Sequence, residues 1–465
     1  MPSTANGCCL HREIVGALLT VPASPHLSFR ATDRIVGELH LASERSVSIQ
    51  STRGSLRILI YGLNYAPELT GIGKYTGEMA SWLTKRGHEV RVVAAPPYYP
   101  AWRVRDDYRG DLYRIEREPG KPVVYRTPLY VPQKPNGIKR MAHLFSFMVG
   151  SVPIMIPQIF WLPQVVFTVE PTFFGAPLAL LVAKGAGACS WLHVQDFEVD
   201  AAFDLGLLPA EGPIHTFALW LEKRFTSAFT RFSSISTKMV ERMHAKEVPV
   251  DRTVLFPNWV DIDHIRPQEK DHNSYRQELG LEGKIVLMYS GNMGKKQGLE
   301  VLGPLAEFFR SDSRIHLLFC GDGAFRPQLE AMVGDLPNVT LLPLQPLDRL
   351  SDLLSAADIH LLPQRAGAAD LVMPSKLTGM LASGRPVVAT ADPGTQVAHV
   401  VEGCGLIVQS EDELALHTAV LRLVDDAPLR QRLGEAARRY ALEHLNKESV
   451  LLQFEADLEA ALEYS

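Results

Sequence analysis

Cysteine is scarce in this chain of 465 residues, and Cys8, Cys9, Cys189, Cys320 and Cys404 form neither a CxxC pair nor a Cys/His ligand spacing. An odd, unpatterned set excludes a disulfide scaffold and suits free thiols in a reducing cytoplasm. An excess of either charge is lacking too. With 47 Lys and Arg against 52 Asp and Glu, the formal net charge is −5, which gives no reason to expect nucleic acid as a partner. The sequence shows no internal repeat and no low-complexity tract. A signal peptide is not evident, because Glu13 precedes a short apolar run, Ile14 to Val21, with no clear cleavage site. Nor is there an uninterrupted apolar run long enough to cross a bilayer, since Pro153, Pro157 and Pro163 break the apolar stretch Met141 to Val169. That stretch reads as a buried helix and the strand after it. The alternative is a face on an anionic membrane surface, because Lys134, Lys139 and Arg140 lead into it.

The length exceeds what one hydrophobic core usually organises, and 46% apolar with 21% charged residues is ordinary for globular domains. Residues 1–55 differ in texture from the rest of the chain and read as a flexible extension. From Arg57 the pattern alternates strand and helix, as in parallel sheets with crossover helices. Arg57 to Tyr61, Glu89 to Ala94, Val165 to Thr168, Ser190 to Val194 and Arg231 to Ser234 read as strands of one sheet, with a helix from Ile72 to Arg86. The pattern restarts after Asn258 with strands Ile285 to Ser290, Ile315 to Cys320, Val339 to Leu342, Ile359 to Leu362 and Val387 to Ala389. This predicts an α/β chain of two Rossmann-like, doubly wound units, 56–258 and 259–446. A last helix at 447–465 would pack back on the first unit.

The segment Pro374 to Val388 predicts a short helix whose first turn suits phosphate. Ser375 would cap it, Lys376 adds charge, and free amides point outward. Gly384 with Pro386 marks its stop. Two glycine-bearing loops come after strands and open helices. Gly71 and Gly73 lie in the first, and Asn292, Lys295, Lys296 and Gly298 in the second. A plain strand-to-helix connection also accounts for the first, and a solvated lysine pair for the second. The turn Gly321-Asp322-Gly323 leaves the next strand on the same edge, where open α/β sheets bind ligands.

The stretches Tyr65 to Tyr75, Pro257 to Asp261, Ser290 to Gly298, Gly321 to Gly323 and Pro374 to Val387 together resemble the retaining nucleotide-sugar glycosyltransferases of family 4, which have the GT-B fold. Gln195 to Asp200 adds a likeness to the colanic-acid branch of exopolysaccharide synthesis. The resemblance implies two Rossmann-like domains facing a cleft and a retaining hexosyltransferase that moves a sugar from a nucleotide diphosphate donor to an acceptor. It implies no obligatory metal and no cofactor. Donor contacts would come from Gly71, Gly73, Asn292, Lys295, Lys296, Gly321, Gly323, Asp370, Ser375, Lys376 and Leu377. Catalytic proton handling would fall to His193, Asp196 and Glu198, at and just after the end of a first-domain strand; a buried, satisfied histidine is the competing account of His193.

The chain departs from the family at four places. Asn292 and Gln297 stand where an Arg and a Lys are usual, and Leu371 and Gly379 stand where paired glutamates are usual, with Asp370 beside the first. Asp261-Ile-Asp263 resembles a metal motif, but comes directly after the hinge and is assigned no metal. The expected setting is a cytoplasmic enzyme extending a saccharide acceptor that is lipid-linked, with peripheral membrane contact and no nucleic acid. A nucleotide-sugar 2-epimerase of the same fold and a non-catalytic nucleotide-sugar-binding partner remain alternatives.

Overall fold

The computed structural model describes residues 54–68, 71–133, 137–170, 173–197, 211–294, 297–365 and 374–463. The extension expected at 1–55 lies almost wholly outside them.

Among the described residues, fourteen strands form two sheets. The first contains β1 (Arg57–Gly62), β2 (Glu89–Ala94), β3 (Arg114–Glu116), β4 (Val123–Arg126), β5 (Val165–Val169), β6 (Cys189–Val194), β7 (Arg231–Ser234) and β8 (Thr253–Leu255). The second contains β9 (Ile285–Ser290), β10 (Ile315–Cys320), β11 (Val339–Leu342), β12 (Ile359–Leu362), β13 (Val387–Thr390) and β14 (Gly405–Val408). Continuous runs such as Val165-Val-Phe-Thr-Val169 have every side chain buried, as parallel strands covered on both faces require.

The first sheet runs β3-β4-β2-β1-β5-β6-β7-β8, with only β3 antiparallel, and the second runs β11-β10-β9-β12-β13-β14, all parallel. Strand order reverses on either side of β1/β5 in the first and of β9/β12 in the second. A doubly wound sheet opens a crevice at such a reversal, outside the carboxyl ends of the strands. The loops singled out after β1 and β9, and the Ser375–Ala382 helix that comes after β12, therefore lie at these two switch points.

The C-terminal helix Lys447–Glu463 belongs to the core of the first sheet: Phe454 stacks on Phe256 at 4.0 Å between centroids and meets Trp191 edge-on. Beside them Glu455 binds both Arg86 and His88, each at 2.9 Å.

The apolar stretch differs from expectation. Gly137–Trp161 is one unbroken helix containing Pro153 and Pro157, and among the described residues it is the one helix long and apolar enough to cross a membrane. Both prolines lie on its exposed side. It is not a buried helix either. Its inner stripe is His143, Phe147, Ser151, Met155 and Gln158, while much of its apolar surface faces outward.

Candidate active site

On the second sheet, the loops after β9 and β10 pack main chain against main chain. Gly291 N–H donates to the Cys320 carbonyl at 3.0 Å, Met293 N–H to the Asp322 carbonyl at 2.8 Å, and Phe325 N–H to the Met293 carbonyl at 2.8 Å. Gly321 and Gly323 hold φ values of 147° and 153°, and a Cβ on Gly323 would stand 2.5 Å from the Met293 oxygen. Their glycine identity is thus set by loop against loop.

The Ser375–Ala382 helix brings a cation to these loops. Lys376 Nζ donates to Gln297 Oε1 at 2.5 Å and to the Tyr289 hydroxyl at 3.0 Å, and lies 4.5 Å from the centre of the Tyr289 ring. Burial pulls this ammonium from the ordinary 10.5 down to about 7. Gln297 is one of the positions where a loop cation is usual in the resembled family, so Lys376 delivers from another helix a charge that the loop itself lacks there.

Ser375 does not cap the helix as expected. Pro374 occupies the cap position and, among the described residues, no side-chain cap bond is made, because Ser375 is already helical; its own carbonyl accepts from the Thr378 hydroxyl at 2.8 Å. Leu377 is buried in the core beneath and anchors the turn. Gly379 sits where a Cβ would press on Leu354 Cδ1 at 3.1 Å, so a longer side chain there would displace that leucine. Asn292 is exposed at the loop tip. Lys295, Lys296, Asp370 and Leu371 lie outside the described residues.

On the first sheet, a cavity of about 200 Å³ opens beside β1, lined among others by Asn64, Gly71, Gly73, Tyr98, Arg140 and Asp196. Gly71 needs its glycine for a φ of 58°, whereas Gly73 needs it for space, since a Cβ would meet Glu68 Oε2 at 2.7 Å.

Glu68 is the organising group that sequence reasoning missed. Its buried carboxylate accepts from Asn64 Nδ2 at 2.9 Å and from the backbone N–H groups of Tyr98 and Tyr99 at 3.1 and 3.0 Å. Burial pulls its carboxyl above the usual range, with these hydrogen bonds and Arg126 opposing. Arg126 in turn donates to the carbonyls of Ala66 and Ala95 and pairs with Glu116. The motif Tyr65-Ala-Pro-Glu68 was visible, but nothing local marked its carboxylate as the clamp of a loop thirty residues on.

Of the expected catalytic trio, Asp196 lines this cavity and Glu198 lies outside the described residues. His193 lies elsewhere. Its ring is buried between Phe167 and Phe256, its Nδ1 hydrogen-bonds Ser233 Oγ at 2.9 Å, and the space beside it is only about 10 Å³. Desolvation pushes its pKa down to about 3. The carboxylate of Asp261 accepts from the backbone of Asp263 and His264 at 3.2 and 2.9 Å, a local turn.

The two rims touch. Tyr75, on the Gly71–Lys85 helix that opens the first cavity, stands beside the Thr378 side chain, two residues from Lys376. The helix that opens the first cavity and the helix that carries Lys376 therefore meet.

Comparison with known proteins gives a consistent result. Residues 70–259 match the glycosyl transferase 4-like domain and residues 271–440 match glycosyl transferases group 1. The putative colanic acid biosynthesis glycosyl transferase WcaI of Escherichia coli is 41% identical over 412 residues, covering 87% of this chain and 100% of that protein. A GDP-mannose-dependent alpha-mannosyltransferase of Mycolicibacterium smegmatis is 26% identical, covering 83% of this chain and 93% of its own. Among solved structures, sucrose-phosphate synthase from Thermosynechococcus elongatus has a TM-score of 0.67 at 18% identity over 88% of this chain and 99% of that one. HepE from Anabaena, in complex with UDP, has a TM-score of 0.64 at 13% identity over 87% and 100%. These two share the two-sheet architecture.

Proposed function

We propose, since the chain belongs to the family 4 glycosyltransferases, that it moves a sugar from a nucleoside diphosphate donor to a lipid-linked saccharide acceptor in exopolysaccharide assembly, retaining the anomeric configuration. The observation that carries the donor assignment is Lys376, held against Gln297 in the first turn of a helix whose cap position is Pro374. As the glycosidic bond to the diphosphate breaks, negative charge builds on the leaving oxygens, and a desolvated cation with helix amides is the arrangement that stabilises it. Lys295 and Lys296 extend the same field from the β9 loop in this reading.

The acceptor enters the cavity beside β1. Asp196 there is the group placed to orient an acceptor hydroxyl or take its proton. His193 acts in this scheme as a positioning residue, through Ser233, at the end of β6. Drawing the rims together about the Tyr75–Thr378 contact excludes water, the competing acceptor. No cofactor enters the scheme, and the enzyme works at the cytoplasmic face of the membrane. The epimerase alternative finds no support among the relatives, which are named for sugar transfer.

A donor panel tests the reading: GDP- and UDP-sugars are incubated with and without membrane lipid extract, and products are resolved by mass spectrometry. Transfer that depends on the extract is expected. Turnover of the donor to its 2-epimer without acceptor would overturn it.

A further inference from the structure

The outward face of the Gly137–Trp161 helix is apolar along its whole length. Ile138, Ala142, Phe145, Val149, Val152 and Phe160 recur at spacings of three and four, with the exposed Pro153 and Pro157 filling the gap before Phe160. Ile138 is 85% exposed and Phe160 84%, and between them Phe145 and Val149 are 51% and 50% exposed. Single exposed apolar residues are ordinary, but an unbroken stripe along a helix of 25 residues is not.

The buried stripe of this helix is the more polar one. The Tyr61 hydroxyl and Ser151 Oγ bond at 2.7 Å, Arg91 donates to Gln158 Oε1 at 2.9 Å, and His143 Nδ1 bonds the Tyr130 carbonyl at 2.5 Å. Amphipathicity is therefore inverted relative to a helix facing water. The same bonds tie the helix to its sheet, so it can lie along an apolar phase but cannot leave the domain to cross one.

Charge identifies the phase. The helix carries Lys139 and Arg140 and no acidic residue, and the sequence has no Asp or Glu between Glu118 and Glu170. An apolar stripe with cations at one end and no acid matches the surface of an anionic lipid leaflet.

We propose that this helix face is a monotopic docking surface for an anionic bilayer. It holds the first-sheet cavity at the leaflet, with Arg140, which both belongs to this helix and lines that cavity, facing the head-group phosphates of a lipid-linked acceptor. The docking itself stands on the helix; the role given to Arg140 rests on the transferase reading above.

Co-sedimentation of the full chain with vesicles tests it. Wild type should bind vesicles of phosphatidylcholine with phosphatidylglycerol, bind pure phosphatidylcholine more weakly, and be released from membranes by alkaline carbonate. Val149→Ser, Val152→Ser and Phe160→Ser together should lower the partition coefficient at least about tenfold, because three apolar side chains no longer leave water. Lys139→Gln should lower only the component that depends on phosphatidylglycerol. Circular dichroism and calorimetric binding of GDP and UDP should be unchanged in both variants. Wild type left in the supernatant, a triple variant that binds like wild type, resistance to carbonate, or a stripe-dependent dimer in light scattering without vesicle binding would each overturn the proposal. Absence of nucleotide binding in a wild type that still binds vesicles would instead count against the transferase reading.

Discussion

The rims that the proposed scheme assigns to donor and acceptor are built by different means. The donor rim is main chain packed on main chain, with glycines at 291, 321 and 323 permitting the contact and the ammonium of Lys376 entering from a neighbouring helix. The acceptor rim is a side-chain network in which Glu68 gathers Asn64 and the amides of Tyr98 and Tyr99 while Arg126 fastens Ala66 and Ala95. Diphosphate is common to many donors and needs amides and one charge. An acceptor sugar needs a shaped polar wall. A rim made of side chains can be recut by substitution without disturbing the sheet, and a rim made of backbone cannot.

The largest test of that contrast is Gly321→Ala. The added methyl falls inside the van der Waals shell of the Gly291 oxygen at a φ that L residues rarely adopt, so a loss on the order of 3 kcal/mol is expected. Urea denaturation would read it, and a loss below about 1 kcal/mol would show that the two loops move independently.

Next comes Lys376→Met, which keeps the bulk and removes the charge. Diphosphate affinity should fall roughly 10- to 100-fold, the worth of a charge-assisted contact. In wild type the free ammonium titrates near pH 7, so affinity should decline as pH rises through that value, by at most about tenfold per unit, with a proton taken up on binding. The stability effect has its own sign. The folded pKa of about 7 lies below the ordinary 10.5, so the unfolded chain binds more protons between those values and wild-type stability rises with pH across that window. The methionine variant should lose both dependences, and calorimetry in buffers of different ionisation enthalpy reads the first directly.

How far these rims were legible in the sequence depends on the range of the contacts involved. Strands such as Ile285–Ser290 and Ile359–Leu362 were readable because a buried parallel strand announces itself as a local apolar run. Strands β3, β4, β8 and β14 were not read, and β3 and β8, with three residues each, are too short for a pattern. The Gly137–Trp161 helix was misjudged because proline was weighed without regard to face, and both prolines point outward where an interrupted ladder is tolerated. Ser375 looked like a cap by residue type, yet Pro374 takes that place. The Lys376–Gln297 pair joins positions 79 apart, and only the odd glutamine in a phosphate loop hinted that a cation must arrive from elsewhere.

A smaller effect is expected from Glu68→Gln on the acceptor rim. The amide oxygen can still accept from Tyr98 and Tyr99, but its NH2 then faces Asn64 Nδ2, donor against donor, which costs about 1 kcal/mol. Relief of a buried charge offsets part of this. Acceptor KM should rise while nucleotide binding stays as in wild type, a split that steady-state kinetics with calorimetry resolves. An equal loss at both ligands would mean that the rims are not separable.

The smallest effect is predicted where the sequence pointed most directly at chemistry. His193 and Asp196 are three residues apart, but only Asp196 reaches the acceptor cavity, and His193 stays in its aromatic enclosure beside Ser233. With its pKa near 3, the imidazole is neutral throughout the working range and has no titration to impose on kcat. His193→Gln, which can keep the bond to Ser233, should leave the shape of the kcat pH profile unchanged and lower stability by about 1 kcal/mol through lost ring packing. Asp196→Asn should lower kcat and leave nucleotide binding as in wild type. If His193→Gln shifted a limb near neutrality instead, the histidine would be exchanging a proton with the acceptor. The acceptor rim would then extend through β6 to a ring that the fold has closed off from it.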